Sequence, residues 1–400
     1  MQTTQTLDLI YFDAGGGHRS AALALQAVIA NQGRDWNVRL VNLQEVLDSL
    51  DVFRKLTGIR LEDTYNLALA KGWTLGSTYL LPLMHGIIRA YHPAQVKLLS
   101  AYWKLQRPDM VVSLVPNFNR ALFESLAEAR PGVPLVTILT DFADYPPHFW
   151  MEKQAQYLIC GTERAAQQAL ALGYPHPRVF RTSGMILRPQ FYEPPACDRP
   201  TGRAQLGLDP NRTTGLVLFG GEGSNVMLPI AERLGNSLID LQLILLCGRN
   251  ESLRTRLGKM KTRNKIVTEG FTKEIPRYMQ LGDFFIGKPG PGSISESVQM
   301  HLPVIVERNS WTLPQERYNA DWVQEQGVGI VLENFRGIES AVQEMLTGGR
   351  LRAMREKAAA MKNRAVFEIP PILEGILEAK LADKVPLRKS AETAPRHRTA

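Results

Sequence analysis

Cysteine is scarce in this chain: Cys160, Cys197 and Cys247 are the only three among 400 residues. They are odd in number, far apart and outside metal-ligand spacing. Neither a disulfide scaffold nor a structural zinc site is expected, and buried free thiols in a reduced, cytoplasmic setting follow. Also missing is any run of about 18 uninterrupted apolar residues, so no membrane-spanning helix is predicted. The opening residues, Met1-Gln-Thr-Thr-Gln-Thr6, carry no basic stretch ahead of an apolar one, and no secretory signal is expected. No RNP, zinc-finger or helix-turn-helix pattern accompanies the basic residues, which argues against a nucleic-acid partner. No Gly-Lys-Ser/Thr closes a glycine loop, which argues against a Walker site.

What is present is ordinary for a soluble globular protein: 44% hydrophobic and 22% charged residues. The length suits two domains. The net charge of +8 favours an anionic partner, such as acidic lipid or a phosphorylated ligand. Much of the excess lies at 251–265 and beyond Lys380, where each run taken alone reads as a solvated helix face or a tail.

The chain opens with a strand over 7–12, the loop Gly15-Gly-Gly17-His18, an alanine-rich helix and a strand over 38–41. That is the start of a parallel α/β sheet. Residues 50–95 break the rhythm with bulky apolar and basic side chains at helical spacing, either buried helices or a functional insertion. Alternation resumes with strands over 110–114, 135–139 (ending at Thr140-Asp141) and 157–160. A proline-rich, aperiodic stretch over 184–195 reads as a linker. The second half repeats the plan. A strand over 215–219 meets Gly220-Gly-Glu-Gly223, one over 241–246 meets Cys247-Gly-Arg249, and one over 265–267 meets Gly270-Phe271.

The stretch Gly287-Lys-Pro-Gly-Pro-Gly-Ser293 then follows a short strand over 283–286 and opens a helix. Gly290 and Gly292 are free to take positive φ, and Pro289 and Pro291 stiffen the turn. Ser293 is expected as the N-cap, with Glu296 completing a capping box. A helix N-terminus on such a turn suits a phosphate. The predicted fold is therefore α/β, two doubly wound Rossmann-like domains facing a cleft that holds the ligand. The expected boundaries are 1–190 and 191–365, then a helix at 366–382 returning to the first domain and a disordered basic tail at 383–400.

Taken together, the residues resemble the GT-B glycosyltransferases of the monogalactosyldiacylglycerol synthase group, with the lipid-II GlcNAc-transferase a more distant relative. The motifs that carry the likeness run nearly end to end: Gly15-Gly-Gly-His18, Thr64-Tyr-Asn66, Thr140-Asp141, Arg188-Pro189, Gly220-Gly-Glu-Gly223, Leu246-Cys-Gly-Arg-Asn250, Gly270-Phe271, Lys288-Pro-Gly-Pro-Gly-Ser293, Gln315-Glu316 and Ala365-Val-Phe367. The resemblance implies an inverting transferase using a UDP-sugar. Gly290, Gly292 and Ser293 would hold the diphosphate with Lys288, while Gly221 and Gly223 face it from across the domain. Glu296 would accept from the ribose hydroxyls, Phe271 would cover the uracil, and Gln315 and Glu316 would read the sugar. His18 is the expected base, and Asp141 is a second base, an orienting group or simply a cap.

No Asp-X-Asp stands at a strand end, and positive helix ends can stabilise the leaving diphosphate, so neither metal nor cofactor is expected. The acceptor side would include Gly17, Asn117, His148 and Trp150. Val115-Pro-Asn-Phe118 and Tyr145-Pro-Pro-His-Phe-Trp150 depart there from the plant pattern, which leaves the acceptor open. Trp73 and Tyr79, beside Arg54, Lys55, Arg60 and Lys71, suit an anionic membrane surface. The expected activity is hexose transfer, galactose or glucose, from a UDP-sugar to 1,2-diacylglycerol, by an enzyme peripheral to the inner face of the membrane. Another acceptor, a binding protein without turnover, or an epimerase are the alternatives.

Overall fold

The computed structural model describes residues 4–13, 16–48, 90–194, 196–310 and 312–384. The expectations placed on Trp73, Tyr79, the Thr64-Tyr-Asn66 motif, Gly15 and the tail lie outside those residues.

Two six-stranded sheets account for the described strands. In the first, β1 (Gln5–Tyr11), β2 (Trp36–Asn42), β3 (Met110–Ser113), β4 (Leu135–Ile138), β5 (Tyr157–Cys160) and β6 (Val179–Arg181) stand in the order β2-β1-β3-β4-β5-β6. In the second, β7 (Thr214–Leu218), β8 (Gln242–Leu246), β9 (Ile266–Glu269), β10 (Phe284–Gly287), β11 (Val304–Glu307) and β12 (Gly329–Leu332) stand in the order β12-β11-β10-β7-β8-β9. Every neighbouring pair is parallel, from Leu7 beside Met110 to Ile286 beside Val217.

Parallel strands need helical crossovers, and these cover both faces of the sheets, so the central strands are apolar without alternation. β3, β4, β7, β8 and β10 are buried along their whole length. α1 (Gly17–Asn31) shows the matching helical pattern, burying Ala21, Ala22, Ala24, Leu25, Val28 and Ile29 on one face.

Three features differ from the sequence reading. β6 was not foreseen, because three residues at a sheet edge are too short for a period to show. The stretch over 184–194 does join the two sheets, as a linker, but it is packed: Met185, Leu187 and Phe191 are buried in the second domain's hydrophobic cluster. The last helix, α14 (Ala365–Lys384), begins one residue earlier than expected. It lays Ile369, Leu373, Ile376 and Leu377 against Leu7, Leu9, Ala21, Leu25 and Ile29 of the first domain.

Candidate functional site

The strands of a doubly wound sheet all point one way, so the loops after their carboxyl ends gather at one edge. In the second domain that edge collects the turn 287–290, the loop 220–223, the residues after β8 and β9, and the loop after β11. α10 (Pro291–Gln299) starts from Gly290, whose φ of −71° and ψ of 136° are those of an extended N-cap. Ser293 is therefore not the cap, and Glu296 closes no capping box. Pro291 explains the shift: a proline at the first helical position already has helical φ and loses no hydrogen bond, so the cap falls at Gly290 rather than Ser293 and the helix begins three residues sooner. Gly290 and Gly292 also do without positive φ. The first intrahelical bond runs from the Ile294 N–H to the Gly290 carbonyl at 3.1 Å. The N–H groups of Gly292 and Ser293 precede it at the positive end of the helix.

Around this turn, Lys288 Nζ donates to Glu316 Oε1 at 2.9 Å. Glu316 is buried, and half-buried Gln315 shares its short turn, Pro314–Glu316. Asn319 Nδ2 donates to the Pro289 carbonyl at 3.0 Å, fixing the turn from behind. Glu296 faces Arg188 of the interdomain connection at 3.6 Å. Burial pushes the Glu296 carboxyl up to about 7, with Arg188 acting in the opposite sense.

The Gly220–Gly223 loop is interlocked with the residues after β8. Gly223 has φ of 67°, and a Cβ there would sit 2.2 Å from the Cys247 carbonyl oxygen. Gly248 has φ of 59°, and its Cβ would fall 2.1 Å from the Gly221 carbonyl oxygen. That carbonyl accepts from the Arg249 N–H at 2.9 Å. The Arg249 guanidinium then pairs with Glu222 at 2.8 Å and lies 4.2 Å above the half-exposed Phe271 ring. Arg249 and Arg188 were not foreseen as site residues, because both act through partners distant in sequence.

The first domain supplies the opposite wall. Gly16, with φ of 76°, caps α1, and Gly17 and His18 are its first two residues. Arg19 closes the loop on Asp13 at 2.9 Å. His18 Nδ1 lies 3.1 Å from Thr140 Oγ1, and its ring stands 5.9 Å from that of Trp150. Loss of hydration pushes His18 down to about 4, opposed by a hydrogen bond with the Leu114 backbone. The imidazole is neutral at neutral pH.

Asp141 caps no helix; it is buried and accepts from the Trp150 indole N–H at 2.9 Å. Its carboxyl is pushed up to about 7, chiefly by burial. The Trp150 bond lowers it, Glu316 raises it, Lys288 lowers it and Asp144 raises it. Two of those influences come from the donor turn of the other domain, so Asp141 lies within electrostatic reach of the Lys288–Glu316 pair. Asp144 organises the loop beneath, accepting from the backbone N–H of Trp150 at 2.6 Å and of His148 at 3.0 Å. His148 itself is exposed with φ of 64°; Asn117, with φ of 66°, donates its N–H to the Phe149 carbonyl at 2.7 Å.

Thus the structure gathers His18, Asp141 and Trp150 on one wall, and Lys288, Gly290, Gly292, Ser293, Glu296, Gln315 and Glu316 on the other. Among the described residues, no three His, Cys, Asp or Glu side chains converge as metal ligands.

Comparison with known proteins bears on the family and the fold. Residues 216–372 match the glycosyltransferase family 28 C-terminal domain. The chain is 26% identical over 398 residues to the chloroplastic monogalactosyldiacylglycerol synthase of Spinacia oleracea, covering 93% of this chain and 73% of that protein. It is 27% identical over 384 residues to a probable monogalactosyldiacylglycerol synthase 2 of Oryza sativa, covering 90% and 78%. Among solved structures, Acinetobacter baumannii MurG superposes with a TM-score of 0.60 at 12% identity, covering 93% of this chain and 99% of that one. The S. aureus MnaA–UDP structure gives 0.60 at 16%, covering 94% and 97%. The two structural likenesses speak for the fold.

Proposed function

We propose, for a chain that is a UDP-sugar-dependent glycosyltransferase of the GT-B fold and of the monogalactosyldiacylglycerol synthase group, that it moves a hexose, galactose ahead of glucose, to the free hydroxyl of 1,2-diacylglycerol. The acceptor oxygen attacks C1 of the sugar, the C1–O bond to UDP breaks, and the anomeric configuration inverts. The hydroxyl proton passes to Asp141. UDP leaves against the N-terminus of α10 and Lys288, which supply the positive charge without a divalent metal. Glu296 accepts from the ribose, with Arg188 beside it. Phe271, held by Arg249, covers the base.

The observation that carries this reading is that buried Asp141, bonded to Trp150, lies within electrostatic reach of the Lys288–Glu316 pair of the donor turn. A carboxylate whose pKa is about 7 is matched to general-base work near neutral pH. His18, neutral beside Thr140, would hydrogen-bond the acceptor hydroxyl. Its contact with Thr140 also supports a second reading in which His18 is the base. The two differ in the acid limb of the rate profile, near 7 for Asp141 and near 4 for His18.

Membrane attachment is proposed to be peripheral and salt-sensitive, through the segment that holds Trp73 and Tyr79. No described helix is long and apolar enough to cross a membrane. Flotation with anionic vesicles should show binding that weakens in Trp73→Ser; no binding at low salt counts against it.

A matrix of UDP-galactose, UDP-glucose and UDP-GlcNAc against diacylglycerol, polyprenyl phosphate and soluble glycans, with and without EDTA, tests the whole reading by chromatography of the products. Monogalactosyldiacylglycerol made in EDTA is the expected result. Product only with another acceptor, UDP binding without turnover, or epimerised donor would each replace it.

A further inference from the structure

A single helix links the donor turn to the first domain. α11 (Arg317–Gln326) starts directly after Gln315-Glu316, and Glu316 is its N-cap. At its first turn Glu316 holds Lys288, and Asn319, fully buried, holds the Pro289 carbonyl. Tyr318 and Trp322, four residues apart, share a helix face turned to the other domain. Tyr318 lies 5.9 Å beneath the Arg164 guanidinium. Trp322 packs on Phe142, with ring centroids 4.6 Å apart and planes at 51°.

Phe142 is the residue after Asp141. It is 1% exposed, and its cluster is not that of its own sheet but that of the second domain, with Leu216, Phe285 and Ala320. Burial of an apolar pair accounts for packing the domains together. It does not require that the same ten-residue helix carry the donor-side carboxylate, hold the glycine-proline turn and grip the neighbour of the proton acceptor.

We propose that Trp322 is a positioning residue for the transfer reaction: through Phe142 it fixes Asp141 opposite the donor turn, and α11 makes the two halves of the site one rigid unit. The inference rests on Asp141 taking part in transfer, as proposed above. Donor binding belongs to the second domain, whose proposed diphosphate and ribose groups, Gly292, Ser293 and Glu296, stand on α10 rather than on α11. What the contact controls is the distance across the cleft and the exclusion of water from Asp141, whose surroundings are Trp150, Glu316, Lys288 and Asp144.

The test compares Trp322→Leu, Trp322→Phe, Phe142→Leu and Asp141→Asn with the parent, reading kcat across pH and UDP affinity by calorimetry. Trp322→Leu and Phe142→Leu should lose about ten- to a hundred-fold in kcat, the scale of a misplaced catalytic group. They should keep parental UDP affinity, and the acid limb should move below its parental position as water reaches Asp141. Trp322→Phe keeps a ring and should restore most of the rate. A folded Trp322→Leu with parental kcat and an unmoved limb overturns the inference. So does a loss of kcat with UDP affinity falling in step and the limb unmoved, the mark of a loosened domain. If Trp322→Leu does not fold, Phe142→Leu decides on the same two readouts. An inactive Asp141→Asn beside an unaffected Trp322→Leu overturns this inference alone, whereas an active Asp141→Asn overturns the role of Asp141 itself.

Discussion

Burial moves two neighbouring groups in opposite directions. Asp141 is raised to about 7 and His18 lowered to about 4, since loss of water disfavours the charged form of each. Asp141 therefore titrates near neutrality, and acid removes its charge. With Asp141 as base, kcat at saturating donor should fall below about pH 7, by about ten-fold per pH unit, as the carboxylate protonates. Asp141→Asn should lose about 10²–10⁴ in kcat with UDP affinity kept, and stopped-assay kinetics from pH 5 to 9 check both. A limb near 4 that disappears in His18→Ala would transfer the role to His18. Glu296 gives an independent titration. It too is raised to about 7, so the fraction able to accept from the ribose as a carboxylate shrinks as pH drops through that value. UDP should bind more weakly at pH 6 than at pH 8. Glu296→Gln should weaken binding by about 1.5–3 kcal/mol, the worth of a hydrogen bond to a charged group, and flatten that pH dependence in calorimetry.

At the scale of elements, the loops carry the site through backbone geometry more than through side chains. Gly248 shows it, since it needs left-handed backbone and also lies against the Gly221 carbonyl. Gly248→Ala should push the Gly220–Gly223 loop away from Arg249, cost roughly 1–3 kcal/mol in backbone strain and weaken UDP binding. Thermal melting and calorimetry on the purified variant check it; unchanged values in both would mean the loop tolerates the shift. Such a loop was legible in the sequence as a glycine cluster after an apolar strand, because strand, turn and helix signals are local. The residue at which α10 starts was less so: Ser293 and Glu296 had capping-box spacing, but Pro291 begins the helix first. β6 was too short to show a period. Arg188 and Arg249 escaped for another reason. Both stand in motifs that carry the family likeness, but their partners, Glu296 and Phe271, are brought close only by the fold, so their roles at the site were not legible.

At the scale of the molecule, the two sheets followed from the alternation of apolar strands and helices, and their facing edges from the direction parallel strands share. How the chain ties itself together is a separate matter, set by long-range packing. After the second sheet the chain crosses back, with Asn363 donating to the Met185 carbonyl at 2.8 Å at the crossing point. α14 then completes the first domain's core rather than the second's. Leu373 is fully buried there, among side chains of β1, α1 and β3. Leu373→Ala should therefore destabilise the first domain by roughly 2–5 kcal/mol, the range for a buried leucine truncated to alanine. The donor site stands on a different core, so UDP affinity should persist while transfer is lost at a lower temperature than in the parent. Calorimetric melting with and without UDP separates the two. UDP, binding the second domain, should raise that domain's transition by mass action and, through the Phe142–Trp322 contact, draw the mutation-sensitive one up with it. Transitions that shift together are the mark of domains coupled through Phe142 and Trp322, with the donor stabilising the wall that carries Asp141 as well as its own; a first-domain transition that UDP leaves in place would mean that the contact does not couple them.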